Sequence, residues 1–137
     1  FYPLDGAVAA PLPRTPGGPP IYLGGQGPRG IRLAAESADG WLLPGTHAGN
    51  VAYFAEKRDA LLAALDIAGR DASTFDLVGQ VSTGTTSASR REALDAARSL
   101  IGSGASHVVL GMPPELGPAG LDDIVDECLR PLRDTIG

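Results

Sequence analysis

The chain has 137 residues, 43% of them hydrophobic and 20% charged, with 16 acidic and 11 basic side chains and a formal net charge of −5. That is the size of one domain, with apolar material enough for a core and against bulk disorder. The acidic balance excludes a protein whose main partner is nucleic acid, because phosphate backbones are held by clustered Lys and Arg.

From Phe1 to Pro20 the sequence is crowded with small residues and with Pro at positions 3, 11, 13, 16, 19 and 20. Proline excludes a helix there, so residues 1–20 read as an extended, Pro-rich lead-in and residues 21–137 as the folded unit. After it, short apolar runs alternate with amphipathic stretches. The run Ile21-Tyr22-Leu23 precedes a helix from about Pro28, with Ile31, Ala34, Ala35 and Ala38 on its small, apolar face. Trp41-Leu42-Leu43 precedes the longest helix, which carries Val51, Phe54, Leu61, Leu62 and Leu65 and closes at Gly69.

The third run, Phe75 to Thr83, leads to Ser89-Arg90-Arg91-Glu92, read as a capping box, and to a face of Ala93, Leu94, Ala97, Leu100 and Ile101. The fourth, His107 to Leu110, precedes a helix opening near Pro118 and expected to bury Leu121, Ile124, Val125, Cys128, Leu129 and Leu132. Asp122 and Asp123 near its start and Arg130 and Arg133 near its end suit the helix dipole, and Pro131 should kink it or end its regular part. Four consecutive βα units imply a parallel sheet, closed either as an open doubly wound fold or as half of an eight-stranded barrel.

Cys128 is the single cysteine, which excludes an intrachain disulfide and a Cys-x-x-Cys metal cluster and sets a reducing, cytoplasmic location as the expectation. No apolar run approaches the roughly 18–20 residues that span a bilayer, and the start has no signal-peptide pattern. The one methionine is Met112, so the chain is expected to be trimmed or part of something longer.

Between the first run and its helix stands Gly25-Gln26-Gly27-Pro28-Arg29-Gly30. Backbone amides and a helix N-terminus converging there favour an anion. A dinucleotide fingerprint needs an acidic residue at the end of the second strand, about 20 residues on. That strand ends Leu43-Pro44-Gly45-Thr46-His47, Asp39 lies before it, and Gly30 falls inside the helix. The Rossmann reading, and with it a nicotinamide dehydrogenase, loses both supports.

The stretch "PPIYLGGQGPRGIRLAAESADGWLLPG", Pro19 to Gly45, resembles the mid-chain segment of the bacterial luciferase-like superfamily of flavin- and deazaflavin-dependent oxidoreductases and monooxygenases. Pro19-Pro20, Gly24 to Pro28, the Ala-rich helix and Ala38-Asp39-Gly40-Trp41 match its elements in order. The resemblance implies a (βα)8 TIM barrel of which this chain is the C-terminal half, about four βα units. It also implies that the turn Gly24, Gly25, Gln26, Gly27, Pro28 receives the phosphate of coenzyme F420, a deazaflavin, or of FMN, with the ring over the C-terminal mouth of the barrel. Gln26 leans the choice to the deazaflavin, and Arg29 is added as a possible phosphate contact, against the bland reading of an exposed Arg.

The superfamily's residues near the reacting ring atom come largely from the absent first strands, so a cofactor site is carried over and no catalytic residue. This chain alone is expected to be inactive, with a flavin-type cofactor and a small organic substrate as partners of the whole enzyme. Exposed strand edges lead to the expectation of a homo-oligomer or pairing with an N-terminal half. The alternative is a non-catalytic half-barrel module for interaction or oligomerisation. His47, Thr83-Gly84-Thr85-Thr86, Met112 and Glu115 fall at the functional end and are read chiefly as solvated or loop residues. Trp41 and Cys128 read as packing residues, and His107 as structural or exposed.

Overall fold

The computed structural model describes residues 5–6 and 10–136; residues 1–4 and 7–9 of the expected lead-in, and Gly137, lie outside them. Residues 10–20 form no helix or strand, as their prolines require. Four strands follow, β1 (Tyr22–Leu23), β2 (Gly40–Leu42), β3 (Asp76–Ser82) and β4 (His107–Gly111). Between and after them run α1 (Pro28–Ser37), α2 (Val51–Ile67), α3 (Ser87–Gly102), α4 (Gly120–Ile124) and α5 (Arg130–Ile136).

All three strand pairings are parallel and the order is β1-β2-β3-β4. Each crossover therefore steps one place in the same direction, and right-handed crossovers put every helix on one face of the sheet. A doubly wound sheet reverses its strand order at a switch point; the described strands do not. Four such units are half of a (βα)8 barrel.

The core lies between sheet and helices. Outward strand positions Trp41, Leu43, Leu77 and Val81 meet Ala34 and Ala35 of α1, Phe54, Leu61 and Leu65 of α2, and Ala97 and Leu100 of α3. The alanine face of α1 lets that helix lie close to the strands. On the opposite face, the barrel interior, Tyr22 and Val109 are 39% and 44% exposed. Val78 on that face is buried, flanked in register by Leu42 and His107.

Two local expectations need correction. The capping box of α3 starts one turn earlier than Ser89–Glu92: Thr86 is the N-cap, Ser89 N–H donates to Thr86 Oγ1 and Thr86 N–H to Ser89 Oγ, each at 3.1 Å. Gly84, at φ 64°, has already turned the chain out of β3, so the helix can begin at Ser87. In the last helix, Ile124, Cys128 and Leu132 are buried while Leu121 and Leu129 are 52% and 40% exposed. Leu62 of α2 likewise faces out.

Pro131 interrupts the α-helical pattern without ending the helix. Residues Val125–Leu129 form a π-helical turn in which Arg130 N–H donates to Val125 O. The wider turn absorbs the missing amide and the ring of Pro131, and it keeps residues four apart on one side, which is why 124, 128 and 132 stay inward. Arg90 of α3, buried at 5% exposure, anchors this turn through Glu127 (2.9 Å) and Asp123 (3.4 Å).

The N-terminal ends of the strands are tied by side chains. Asp76 accepts hydrogen bonds from Tyr22 Oη (2.7 Å) and Ser106 Oγ (3.0 Å). The Tyr22 bond, then Ser106 and the nearby His107 charge, hold its carboxyl below the ordinary aspartate range, against a desolvation that pushes it up. A depressed folded-state value means that the stabilisation is full above the unfolded value and is lost as pH falls through the folded one. In urea titrations from neutral pH downward, wild type is expected to lose this increment on the acid limb. Asp76→Asn is expected to start lower and fall less; superimposable acid limbs would refute the assignment.

Candidate functional site

The C-terminal ends of the strands gather four connections: 24–27, 43–50, 83–86 and 112–119. The first is the glycine turn. Pro28 occupies the first turn of α1 with fixed φ, and Gly27 is its N-cap in extended conformation (φ −79°, ψ 167°) without a side-chain cap. The helix's first internal bond is Ile31 N–H to Gly27 O (3.0 Å). Ahead of it the N–H groups of Arg29 and Gly30 have no intrahelical partner. No acidic residue stands in the first turn of α1, so the positive end of the helix dipole is not neutralised locally.

The glycines of this turn differ in what they are for. A Cβ on Gly25 would lie 2.8 Å from Gly30 Cα, and one on Gly30 would lie 2.7 Å from Gly25 Cα, so these two residues let the turn fold back onto the helix. Nothing lies within 4 Å of a Cβ built on Gly27, and on Gly24 the nearest atom is Leu42 O at 3.7 Å. Packing within the chain therefore demands glycine at 25 and 30, and leaves open space at 27.

Side chains from β2 and α2 hold the turn. Trp41 is fully buried and tilted against Phe54 (centroids 6.3 Å apart), as its packing reading expected. Its indole Nε1 also donates to Gly25 O at 2.9 Å, a role that spacing along the chain did not suggest. Tyr53 Oη donates to Gln26 Oε1, leaving the Gln26 amide nitrogen available on the other side of the carboxamide. His47 stacks on Tyr53 at 3.8 Å and 9° between planes, so the residue read as solvated is half-buried as a prop. Lys57 Nζ lies 4.9 Å from the Tyr53 ring centroid, and its bond to Glu56 (2.8 Å) holds its charge. Tyr53 and Lys57 were missed in the sequence, where the only signal was their place in the first turns of a helix at the functional end. Arg29 is exposed.

Other sequence candidates resolve into structural roles. Asp39, the acid just before β2, accepts Ile21 N–H at 2.8 Å at the far end of the strands. Thr83 is fully buried, its N–H and Oγ1 both donating to Gly111 O (3.0 and 3.1 Å), and Thr86 caps α3. Cys128 is buried and desolvation pushes its thiol up, which removes it as a nucleophile. His107 is exposed beside Asp76. Met112 lines a cavity of about 390 Å³ at the ends of β2–β4, and Glu115 lies exposed beyond it. A groove of about 430 Å³ runs between α1 and α2 from Gln26 and Pro28 past Lys57 to Ile67. Among the described residues no three His, Cys, Asp or Glu are placed to hold a metal ion, and no helix is long and apolar enough to cross a membrane.

A family model described as luciferase-like monooxygenase matches residues 1–125. The chain is 37% identical over 105 residues to the 5,10-methylenetetrahydromethanopterin reductase of Archaeoglobus fulgidus, a stretch covering 77% of this chain and 29% of that protein. The solved coenzyme F420 dependent tetrahydromethanopterin reductase from Methanopyrus kandleri superposes with a TM-score of 0.60 at 16% identity, over 82% of this chain and 51% of that one. At that identity the likeness establishes the fold. The chain spans less than a third of the first relative's length and about half of the second's.

Proposed function

The chain belongs to the luciferase-like monooxygenase family, and from that premise we propose that it supplies the phosphate-binding part of a barrel oxidoreductase using coenzyme F420 or, as second choice, FMN. The observation that carries the reading is Gly27: a glycine that neither conformation nor packing requires, at a helix N-terminus with amides that have no intrahelical partner and with no acid in the first turn. Such a position leaves backbone donors open to close approach by a phosphate. The donor set fits an anion, from the Gly24–Pro28 turn, the Gln26 amide nitrogen and Arg29 in the first turn. The name of the Methanopyrus kandleri structure, a coenzyme F420 dependent reductase, favours coenzyme F420 over FMN.

When bound, the coenzyme supplies the hydride or activates oxygen. This chain's residues bind and orient. Trp41 holds the turn through Gly25 O, Tyr53 sets Gln26, and the amides of the α1 N-terminus take the phosphate charge. The cavity at the ends of β2–β4 would be the place for its ring. The β1 and β4 edges, with the exposed Tyr22 and Val109 beside them, pair with the remaining strands of the barrel, from the rest of the protein or a second copy. Alone the chain lacks half the mouth and has no activity.

Gly27→Asp in the full-length protein is the test. Aspartate is a better N-cap than glycine, so chemical stability is expected to hold or rise by up to about 0.5 kcal/mol. The same carboxylate occupies the open space and repels the phosphate, so affinity for coenzyme F420 and FMN is expected to fall at least about 100-fold. Unchanged coenzyme affinity, or tighter binding of nicotinamide nucleotides than of either coenzyme by the wild type, overturns the assignment. A non-catalytic module predicts no coenzyme binding at all.

A further inference from the structure

The cavity at the ends of β2–β4 contains a polar group that the fold does not use. Leu77 and Val81 of β3 belong to the core, and a Cβ on Gly79 would lie 3.1 Å from Leu100 Cδ1, so those three positions face the helices. By alternation Val78, Gln80 and Ser82 face the barrel interior. The Gln80 backbone is pinned, its carbonyl accepting Gly49 N–H at 2.7 Å. Its half-buried carboxamide makes no hydrogen bond to another described residue and lines the cavity with Gly45, Ala48, Ser82, Met112 and Pro113.

The space around that carboxamide is kept open. Gly45 has no positive φ, and a Cβ there would stand 3.5 Å from Gln80 Nε2, so its glycine is not dictated by backbone conformation and leaves one side of the amide clear. The volume, about 390 Å³, falls among small-molecule sites, roughly 300–1,000 Å³. Met112, 40% exposed, and Pro113 offer apolar surface of the kind that packs on a flat ring.

A carboxamide presents one donor and one acceptor side by side. Its complement is a cis amide, an N–H beside a C=O, as in the lactam or imide edge of a heterocycle; glutamine reads the paired donor and acceptor of adenine by the same matching. We propose that Gln80 reads the lactam or imide edge of a planar heterocycle bound at the ends of β2–β4. This deepens the coenzyme reading and rests on it only in taking that end as the functional one. The heterocycle is either the coenzyme's own ring or that of the substrate, and the two are separable.

The test uses the full-length protein without coenzyme and two probes that carry such an edge and no phosphate: lumichrome, tricyclic with an imide, and 6-methylpterin, bicyclic with a lactam. Each is titrated beside its N3-methyl derivative, which blocks the edge. At least one probe is expected to bind wild type about tenfold more tightly than Gln80→Leu, the loss of two modest hydrogen bonds. N3-methylation of that probe should cost the same in wild type and nothing further in Gln80→Leu. Loss confined to lumichrome assigns the edge to the coenzyme ring, and loss confined to the pterin assigns it to the substrate.

Equal binding by wild type and Gln80→Leu, no cost of N3-methylation in wild type, or no binding of either probe at millimolar concentration overturns the proposal. The N3-methyl comparison in wild type stands even if the variant does not fold. Lumichrome lacks a phosphate, so Gly27→Asp should leave its binding unchanged. Failure of the phosphate reading and failure of this one therefore show in different titrations.

Discussion

Trp41→Ala is expected to cost about 3–5 kcal/mol of stability, the usual range for removing a fully buried tryptophan. Trp41 is 0% exposed between β2, α1 and α2 and packs on Phe54. The more informative variant is Trp41→Phe, which keeps most of the apolar volume and removes only the indole donor to Gly25 O. Leaving that half-buried carbonyl without its partner costs about 1–3 kcal/mol. It also frees the glycine turn to shift, so coenzyme affinity in the full-length protein should fall about tenfold or more. Urea unfolding and coenzyme titration on the two variants separate the roles. If Trp41→Phe loses stability and binds coenzyme normally, the indole is a packing residue and does not position the turn.

Gly30→Val should have the second large effect. Any Cβ at residue 30 meets the Gly25 backbone, Cα at 2.7 Å and carbonyl carbon at 2.8 Å. No flexible side-chain end is there to yield, so either the turn or the first turn of α1 must move. Overpacking of this kind costs about 1–3 kcal/mol, and the displaced turn should lose coenzyme binding altogether. Gly25→Val carries the same clash from the other side, so it tests the architecture of the turn together with its ligand. Gly27→Asp, where space is open, isolates the ligand. A stable Gly30→Val variant that binds coenzyme normally would show that the close approach of residues 25 and 30 is dispensable.

The contrast among these glycines shows how far the candidate site was legible. The pattern Gly25-Gln26-Gly27-Pro28-Arg29-Gly30 marked a turn into a helix, and the placement of Asp39 correctly separated it from a dinucleotide fingerprint. Position along the chain does not tell a glycine needed for backbone packing from one that leaves space. That distinction arises from atoms brought together by folding. The capping box of α3 shows the same limit on a smaller scale: Ser89 and Glu92 have the right spacing, but the turn at Gly84 starts the helix early enough for Thr86 to take the cap.

What the sequence determined by itself was whatever depends on neighbours within a turn or two of chain. Apolar residues at helical spacing placed α1, α2, α3 and the last helix, short apolar runs placed four strands, and their strict alternation required parallel pairing, while the choice between a doubly wound sheet and half a barrel fell to the observed strand order. What only the tertiary structure decided were contacts between residues far apart in sequence. Trp41 reaches Gly25 across 16 positions, Tyr53 reaches Gln26 across 27, and Arg90 reaches Glu127 across 37. Periodicity reports which face of an element is apolar. It carries no information on which polar atom lies opposite once two elements pack, because that depends on the relative placement of both, set by the whole core at once.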